Sequence, residues 1–241
     1  MHLLTPLVFS VILDFKMPGR TVPLITDQIY HVLNRGVASQ PMFLTQWDYS
    51  RAIEIIFYYQ NQNLPLRYSF FRRLPVKQRT EILDQLKKRA DFLVEIIAYC
   101  LMPNHFHLLL KQIKDDGIST FMSNLSNSYT RYFNTKNKRI GPLLQGKFKA
   151  VRVETDEQLL HLSRYIHLNP YSSYVIKSLR KLESYPYSSL SEYLGLTKSK
   201  NCHKEIVLDN FKDPTSYKKF VFDQADYQRM LQEIKQLTLE E

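Results

Sequence analysis

The amino-acid sequence predicts an α+β domain built on an antiparallel β-sheet, and three observations lead there. Two apolar, β-prone runs at residues 94–99 and 105–111 are separated by Pro103 and Asn104, which reads as a strand pair with a tight turn. Segments of helical period alternate with the strands instead of following them in a block. Six glycines against sixteen tyrosines argue against a Gly-rich nucleotide-binding architecture.

In chain order, residues 3–13 are mostly apolar but too short to span a bilayer. No Lys or Arg precedes them, as one would in a secretory signal. Met17-Pro-Gly-Arg reads as a fresh beginning, so residues 1–20 are expected to be a loose tail or a misassigned start. Residues 29–36 form a first strand closed by Gly36. Residues 47–59 have helical period, with Ala52, Ile55, Ile56 and Tyr59 on one face and Asp48 in the first turn. Residues 60–78 are basic, aromatic and Pro-containing, an irregular loop, and 80–90 are a second helical segment. The strand pair at 94–111 follows. Asp115-Asp116-Gly117 then turns the chain into a helix over 118–135 that presents Phe121, Leu125, Tyr129 and Tyr132 or Phe133 inward. Residues 147–153 read as a strand with one basic face. Thr155 and Gln158 make a capping box that opens a helix, and Asn169-Pro170 ends it at about Leu168, because a residue before proline disfavours helical geometry. Tyr185-Pro-Tyr-Ser-Ser-Leu-Ser-Glu-Tyr is a short turn and helix. The tail from Pro214 is charged and helical, with Tyr217, Phe220, Val221 and Tyr227 for docking. The order β-α-(α)-β-β-α-β-α is that of a ferredoxin-like antiparallel sheet with helices on one face, here over residues 21–185, with a helical C-terminal extension over 186–241.

The formal net charge of +10 calls for an anionic partner, nucleic acid first among them. The charge is not spread evenly. Residues 117–153 contain no Asp or Glu, yet hold Arg131, Lys136, Lys138, Arg139, Lys147, Lys149 and Arg152, interleaved with Tyr129, Tyr132, Phe133 and Phe148. Basic groups with aromatic neighbours suit phosphates and bases of single strands. Two cysteines far apart, Cys100 and Cys202, make no disulfide framework and suit a reducing, cytoplasmic setting.

His105 and His107 stand at i and i+2 of a strand, so their imidazoles share one face while Phe106 points the other way. Such a pair is a ready set of metal ligands, although ordinary histidines on a half-exposed strand give the same pattern. On the late helix, Leu159, Leu162, Ser163 and Ile166 form the buried face. Tyr165 falls on its flank, with Asn169 one turn on and His161 one turn back. By itself that position also fits a core-edge tyrosine with its hydroxyl in water.

Taken together, Tyr30-His-Val-Leu-Asn-Arg-Gly, Met102-Pro-Asn-His-Phe-His-Leu-Leu-Leu, Gly141-Pro-Leu-Leu-Gln-Gly-Lys-Phe-Lys, Arg164-Tyr-Ile-His-Leu-Asn-Pro and Tyr185-Pro-Tyr-Ser-Ser, in that order, resemble the REP-associated branch of the single-tyrosine HUH transposases. The resemblance spans residues 22–190. It departs from the family pattern at Leu144, where a tryptophan is common, and over residues 60–90, which are longer and more basic. It implies a ferredoxin-like nuclease domain with His105 and His107 as metal ligands, Asn169 as the third, and Tyr165 as nucleophile. It further implies one divalent ion, Mg²⁺ or Mn²⁺, a single-stranded or hairpin DNA substrate, a covalent phosphotyrosine on the 5′ side, and a cytoplasmic, nucleoid-associated protein without a membrane. Arg35 and the seven basic residues of 117–153 would hold phosphates. A homodimer is an arrangement that the sequence leaves open. Three rivals stand beside this reading: another HUH enzyme (a relaxase or a replication initiator), a non-catalytic hairpin-binding protein, and a metal phosphodiesterase, which would need more carboxylates.

Overall fold

The expected hairpin forms around Pro103 and Asn104, joining β2 (Val94–Met102) to β3 (His105–Gln112). In the computed structural model, which describes residues 23–198 and 201–237, β3 also pairs with β1 (Ile29–Arg35), and β1 with β4 (Lys149–Arg152). All pairs are antiparallel and the sheet order is β2-β3-β1-β4. The expected N-terminal tail at 1–20 lies outside the described residues.

Between the strands run α1 (Gln46–Tyr59), α2 (Val76–Arg89) and α3 (Gly117–Lys136), giving the β-α-β-β-α-β arrangement of the ferredoxin-like fold. The loop expected at 60–78 contains one helical turn, Tyr68–Phe71, which buries both of those aromatic rings. Gly117 opens α3 where the backbone passes tightly under β2. A Cβ there would lie 2.3 Å from the Leu93 carbonyl oxygen, so only glycine fits.

The side-chain alternation of the strands explains the two cores. Val32, Phe106, Leu108 and Leu110 face α1 and α3, where they meet Ile55, Ile56, Phe121, Leu125 and Tyr129. Cys100, Met102 and Leu109 face the other way, toward α4 (Asp156–Ser172) and α5 (Pro214–Phe222). Helices therefore cover both faces. Coverage on one face describes α1 and α3 only, and the apolar part of the second face is closed by the late helices.

Two local expectations are corrected. Helix α4 does not stop at Leu168 but runs through Pro170 to Ser172. Leu168, Pro170, Tyr171 and Ser172 are all buried, and this packing holds the last turn helical despite the missing amide proton. The strand expected at 147–153 is shorter, and it has no single basic face. Lys149 lies opposite Leu33 and Arg152 opposite Tyr30, on opposite sides of the sheet. Beyond α4, the Leu101 amide donates to the Tyr187 carbonyl (2.8 Å) and the Ser189 amide to that of Tyr99 (3.0 Å), so residues 187–189 cover the outer edge of β2. Tyr193, Tyr217 and Val221 join the second core, and α6 (Ala225–Leu237) follows. Of the expected docking residues, Tyr227 is exposed.

Candidate functional site

On β3 and β1, Arg35 lies opposite His105, Leu33 opposite His107, and His31 opposite Leu109. Residues directly opposite one another share a face. His31, Arg35, His105 and His107 thus stand on the sheet face that α4 covers.

His107 is buried (5% exposed) and His105 half-buried. Their rings are perpendicular, with centroids 5.0 Å apart. His105 Nδ1 is 2.7 Å from the Asn104 carboxamide oxygen. The Asn104 amide group donates to the Ser39 carbonyl (3.0 Å), which fixes that carboxamide with its oxygen toward His105. His107 Nδ1 meets Nε2 of a third histidine, His31, at 3.0 Å, with the two rings stacked at 5.2 Å. Burial pulls His31 down to about 4, so it is a neutral imidazole near pH 7.

Helix α4 brings Tyr165 onto this group. Its ring meets His107 edge-on at 5.5 Å and His31 at 6.1 Å. Burial raises the phenol above its ordinary range, while a hydrogen bond from the Asn169 side chain acts in the opposite direction. Asn169 is itself buried and donates to the Tyr165 carbonyl (3.4 Å). The helix thus sets the Tyr165 phenol and the Asn169 amide one turn apart on one edge. His161 and His167, the two histidines nearest Tyr165 in sequence, are engaged elsewhere. His161 contacts Arg164 and Glu157. His167 is held by the Tyr217 hydroxyl at Nδ1 (2.7 Å) and by Ser189 Oγ at Nε2 (2.8 Å).

The residues suit a divalent ion by donor chemistry. Both His105 and His107 engage Nδ1 with a neighbour, the usual outer-shell pattern of a metal-binding imidazole that coordinates through Nε2. Among the described residues no three His, Cys, Asp or Glu side chains form a metal-binding group. A third protein donor would then be of another type, and the Asn169 amide oxygen is such a group on the helix above.

The basic residues divide. Arg35 is exposed on the site face, its Nε donating to Gln145. Lys149 is exposed on that same face. The loop carrying Gln145 is fastened beside it, with the Val37 amide on the Leu143 carbonyl (3.0 Å) and the Gln145 amide on that of Arg35 (2.8 Å). Lys147, Lys138 and Arg131 are exposed. Arg139 is half-buried, with its guanidinium 5.8 Å from the Phe133 ring centroid and bonded to Asn134. Arg152 faces the other side and donates to Gln28 (2.8 Å). Lys136 is exposed but ion-paired: its ammonium is 2.7 Å from the fully buried carboxylate of Asp48.

His31 is the site residue that sequence reasoning missed. The signal available was the alternation in Tyr30-His-Val-Leu-Asn-Arg, which puts His31 and Arg35 on one strand face. What that face meets is decided only by the pairing with β3.

Comparison with known proteins adds two findings. A family model described as transposase IS200 like matches residues 65–169, a span that includes His105, His107, Tyr165 and Asn169. A solved structure of the REP-associated tyrosine transposase bound to a REP hairpin is similar in fold, with TM-score 0.50 and 15% identity, over 77% of this chain and 90% of that one. The curated proteins yield no match.

Proposed function

We propose that this chain, whose residues 65–169 match the family model described as transposase IS200 like, acts as a member of that family and cleaves and rejoins single-stranded DNA beside a hairpin, with Tyr165 as nucleophile. The observation that carries this reading is the contact of the Tyr165 ring with His107 and His31, under the side chain of Asn169. A nucleophilic tyrosine needs rigid placement and a hydrogen-bonding partner on its oxygen. Both are supplied by elements of the core and not by a loop. The hairpin substrate is taken from the similar protein, which was solved bound to one.

In this reading the Tyr165 oxygen attacks the scissile phosphorus. A phenolic O–P ester forms, the bond from phosphorus to the 3′ oxygen breaks, and that oxygen leaves as a hydroxyl, the proton it gains balancing the one the phenol gives up to solvent. The DNA is then held by its 5′ phosphate, and the reverse step rejoins it with the ester's energy conserved. Asn169 donates to the phenolic oxygen as charge develops there. The phenol starts protonated, since its ordinary value is about 10 and burial raises it further. His105, His107 and Asn169 would hold the divalent ion, Mg²⁺ or Mn²⁺. When bound, that ion supplies Lewis-acid polarisation of the phosphate. Arg35 and Lys149 stand on the same sheet face and would hold flanking phosphates, with Arg131, Lys138, Arg139 and Lys147 along the approach.

The test is a denaturing gel of the protein with labelled single-stranded hairpin DNA and Mn²⁺. A covalent adduct is expected with the native chain, and none with Tyr165→Phe, whose hairpin affinity should be unchanged. Hairpin binding without an adduct across both metals would instead favour a binding protein.

A further inference from the structure

Resting on the reading of His105 and His107 as metal ligands, we propose that His31 is the positioning residue of that pair: it accepts the Nδ1 proton of His107 and so fixes which ring nitrogen His107 offers to a metal.

The starting point is an asymmetry between two chemically similar contacts. At His105 the partner of Nδ1 is a carboxamide oxygen held in place by the Asn104 bond to Ser39, and such an oxygen can only accept. His105 is therefore the tautomer protonated at Nδ1, with its lone pair on Nε2. At His107 the partner of Nδ1 is Nε2 of His31 at 3.0 Å, a nitrogen able to donate or accept. If His31 donated, His107 would carry its own proton on Nε2 and could not bind a metal through that atom. If His31 accepts, His107 keeps its lone pair on Nε2, as His105 does, and its other ring nitrogen donates to an outer-shell partner, the usual arrangement of a metal-binding imidazole.

The surroundings hold His31 in this role. It is 4% exposed, on the inner strand β1, two residues from Leu33, the register partner of His107. Its ring stacks on that of His107 with 18° between planes, and the Tyr165 ring closes on it edge-on. His31 thus touches both the ligand and the nucleophile without itself completing a metal-binding group. Its residue type matters here. An apolar side chain of similar size would fill the space but could not take the proton.

Two measurements test the proposal. The first is a long-range ¹H–¹⁵N spectrum of the imidazoles in the metal-free native protein near neutral pH. His107 protonated at Nδ1 is expected, and His107 protonated at Nε2 overturns the assignment. The second is calorimetric titration with Mn²⁺ of the native chain, His107→Ala, His31→Leu and His31→Gln, each also melted and tested for hairpin binding. His31→Leu should weaken Mn²⁺ binding by about 10–100-fold, the usual cost of losing an outer-shell partner, and His31→Gln should return it to within about threefold because the amide oxygen can accept. Melting temperature and hairpin affinity should not separate the two variants. Equal weakening in Leu and Gln variants would show a packing role and overturn the proposal. So would native affinity in His31→Leu alongside loss in His107→Ala, in which case the ligand assignment stands and the positioning role falls. Native affinity in His107→Ala would bring down the ligand assignment, and the proposal with it.

Discussion

Replacing Lys136 with methionine separates an interior role from a DNA-binding one. Asp48 is the third residue of α1 and is wholly buried. Its carboxylate accepts from the Leu44 amide (3.0 Å), the Thr45 amide (2.9 Å), the Thr45 hydroxyl (3.0 Å), the Tyr132 hydroxyl (2.9 Å) and the Lys136 ammonium (2.7 Å). Burial pushes Asp48 up, yet the bonds from Lys136, Tyr132 and Thr45 outweigh it and hold the carboxyl below its usual range. Lys136 supplies the balancing charge and ties the end of α3 to the start of α1. Removing one partner of a fully buried pair costs about 3–5 kcal/mol. Here the Lys136 side chain is 34% exposed and four other donors remain, so the loss should lie nearer that of one charge-assisted hydrogen bond, about 1.5–2 kcal/mol. For a chain of this size that lowers the melting temperature by about 3–8 °C. The assay is thermal unfolding of Lys136→Met, Asp48→Asn and the double variant, with hairpin binding measured against salt. The double variant should be less destabilised than the two single losses added together, and the salt dependence of DNA binding should match the native chain. Native stability together with a log–log salt slope reduced by about 0.7 would refute the interior role and make Lys136 a phosphate contact.

Two further outcomes follow from the same structure. Burial holds His167 down to about 3, below the ordinary value of about 6.5, so the unfolded chain takes up a proton that the fold refuses. Stability from this group is complete above pH 6.5 and is lost as the pH falls toward 3, at about 1.4 kcal/mol per pH unit. His167→Gln should therefore shrink the difference in unfolding free energy between pH 7 and pH 5 by about 2 kcal/mol, measured in urea; an unchanged difference would mean that His167 is protonated in the fold. Gly36→Ala places a Cβ 2.2 Å from the Gln40 carbonyl oxygen. It should cost about 1–3 kcal/mol in the same titration, and a native value would show that the turn relaxes freely.

What was readable in the chain was local. Pro103 and Asn104 between two apolar runs specified the hairpin, and the period of two then put His105 and His107 on one face without any knowledge of the fold. Thr155 and Gln158 marked the start of α4, and the amide of Gln158 does bond the Thr155 hydroxyl (3.1 Å). The remainder depended on partners far away in sequence. His31 joins the site through a pairing across 76 residues, and Lys136 meets Asp48 through a bond across 88. Neither partner leaves a trace near the residue itself. The run of α4 through Pro170 belongs to the same class, because the burial of Leu168 and Tyr171 against the second core outweighs the local preference of Asn169-Pro170. The second layer of helices was hidden for a related reason: Cys100, Met102 and Leu109 read as strand residues, and only the assembled sheet shows that they form a face needing cover.

If Tyr165 forms the bond to DNA, the adduct maps to that residue. The native chain would be incubated with single-stranded hairpin DNA and Mn²⁺, the DNA trimmed by nuclease, and the protein digested for mass spectrometry. A nucleotide remnant is expected on the peptide containing Tyr165, at that residue and at no other of the sixteen tyrosines. A remnant on a different residue, or DNA cut by water with no remnant at all, would contradict it.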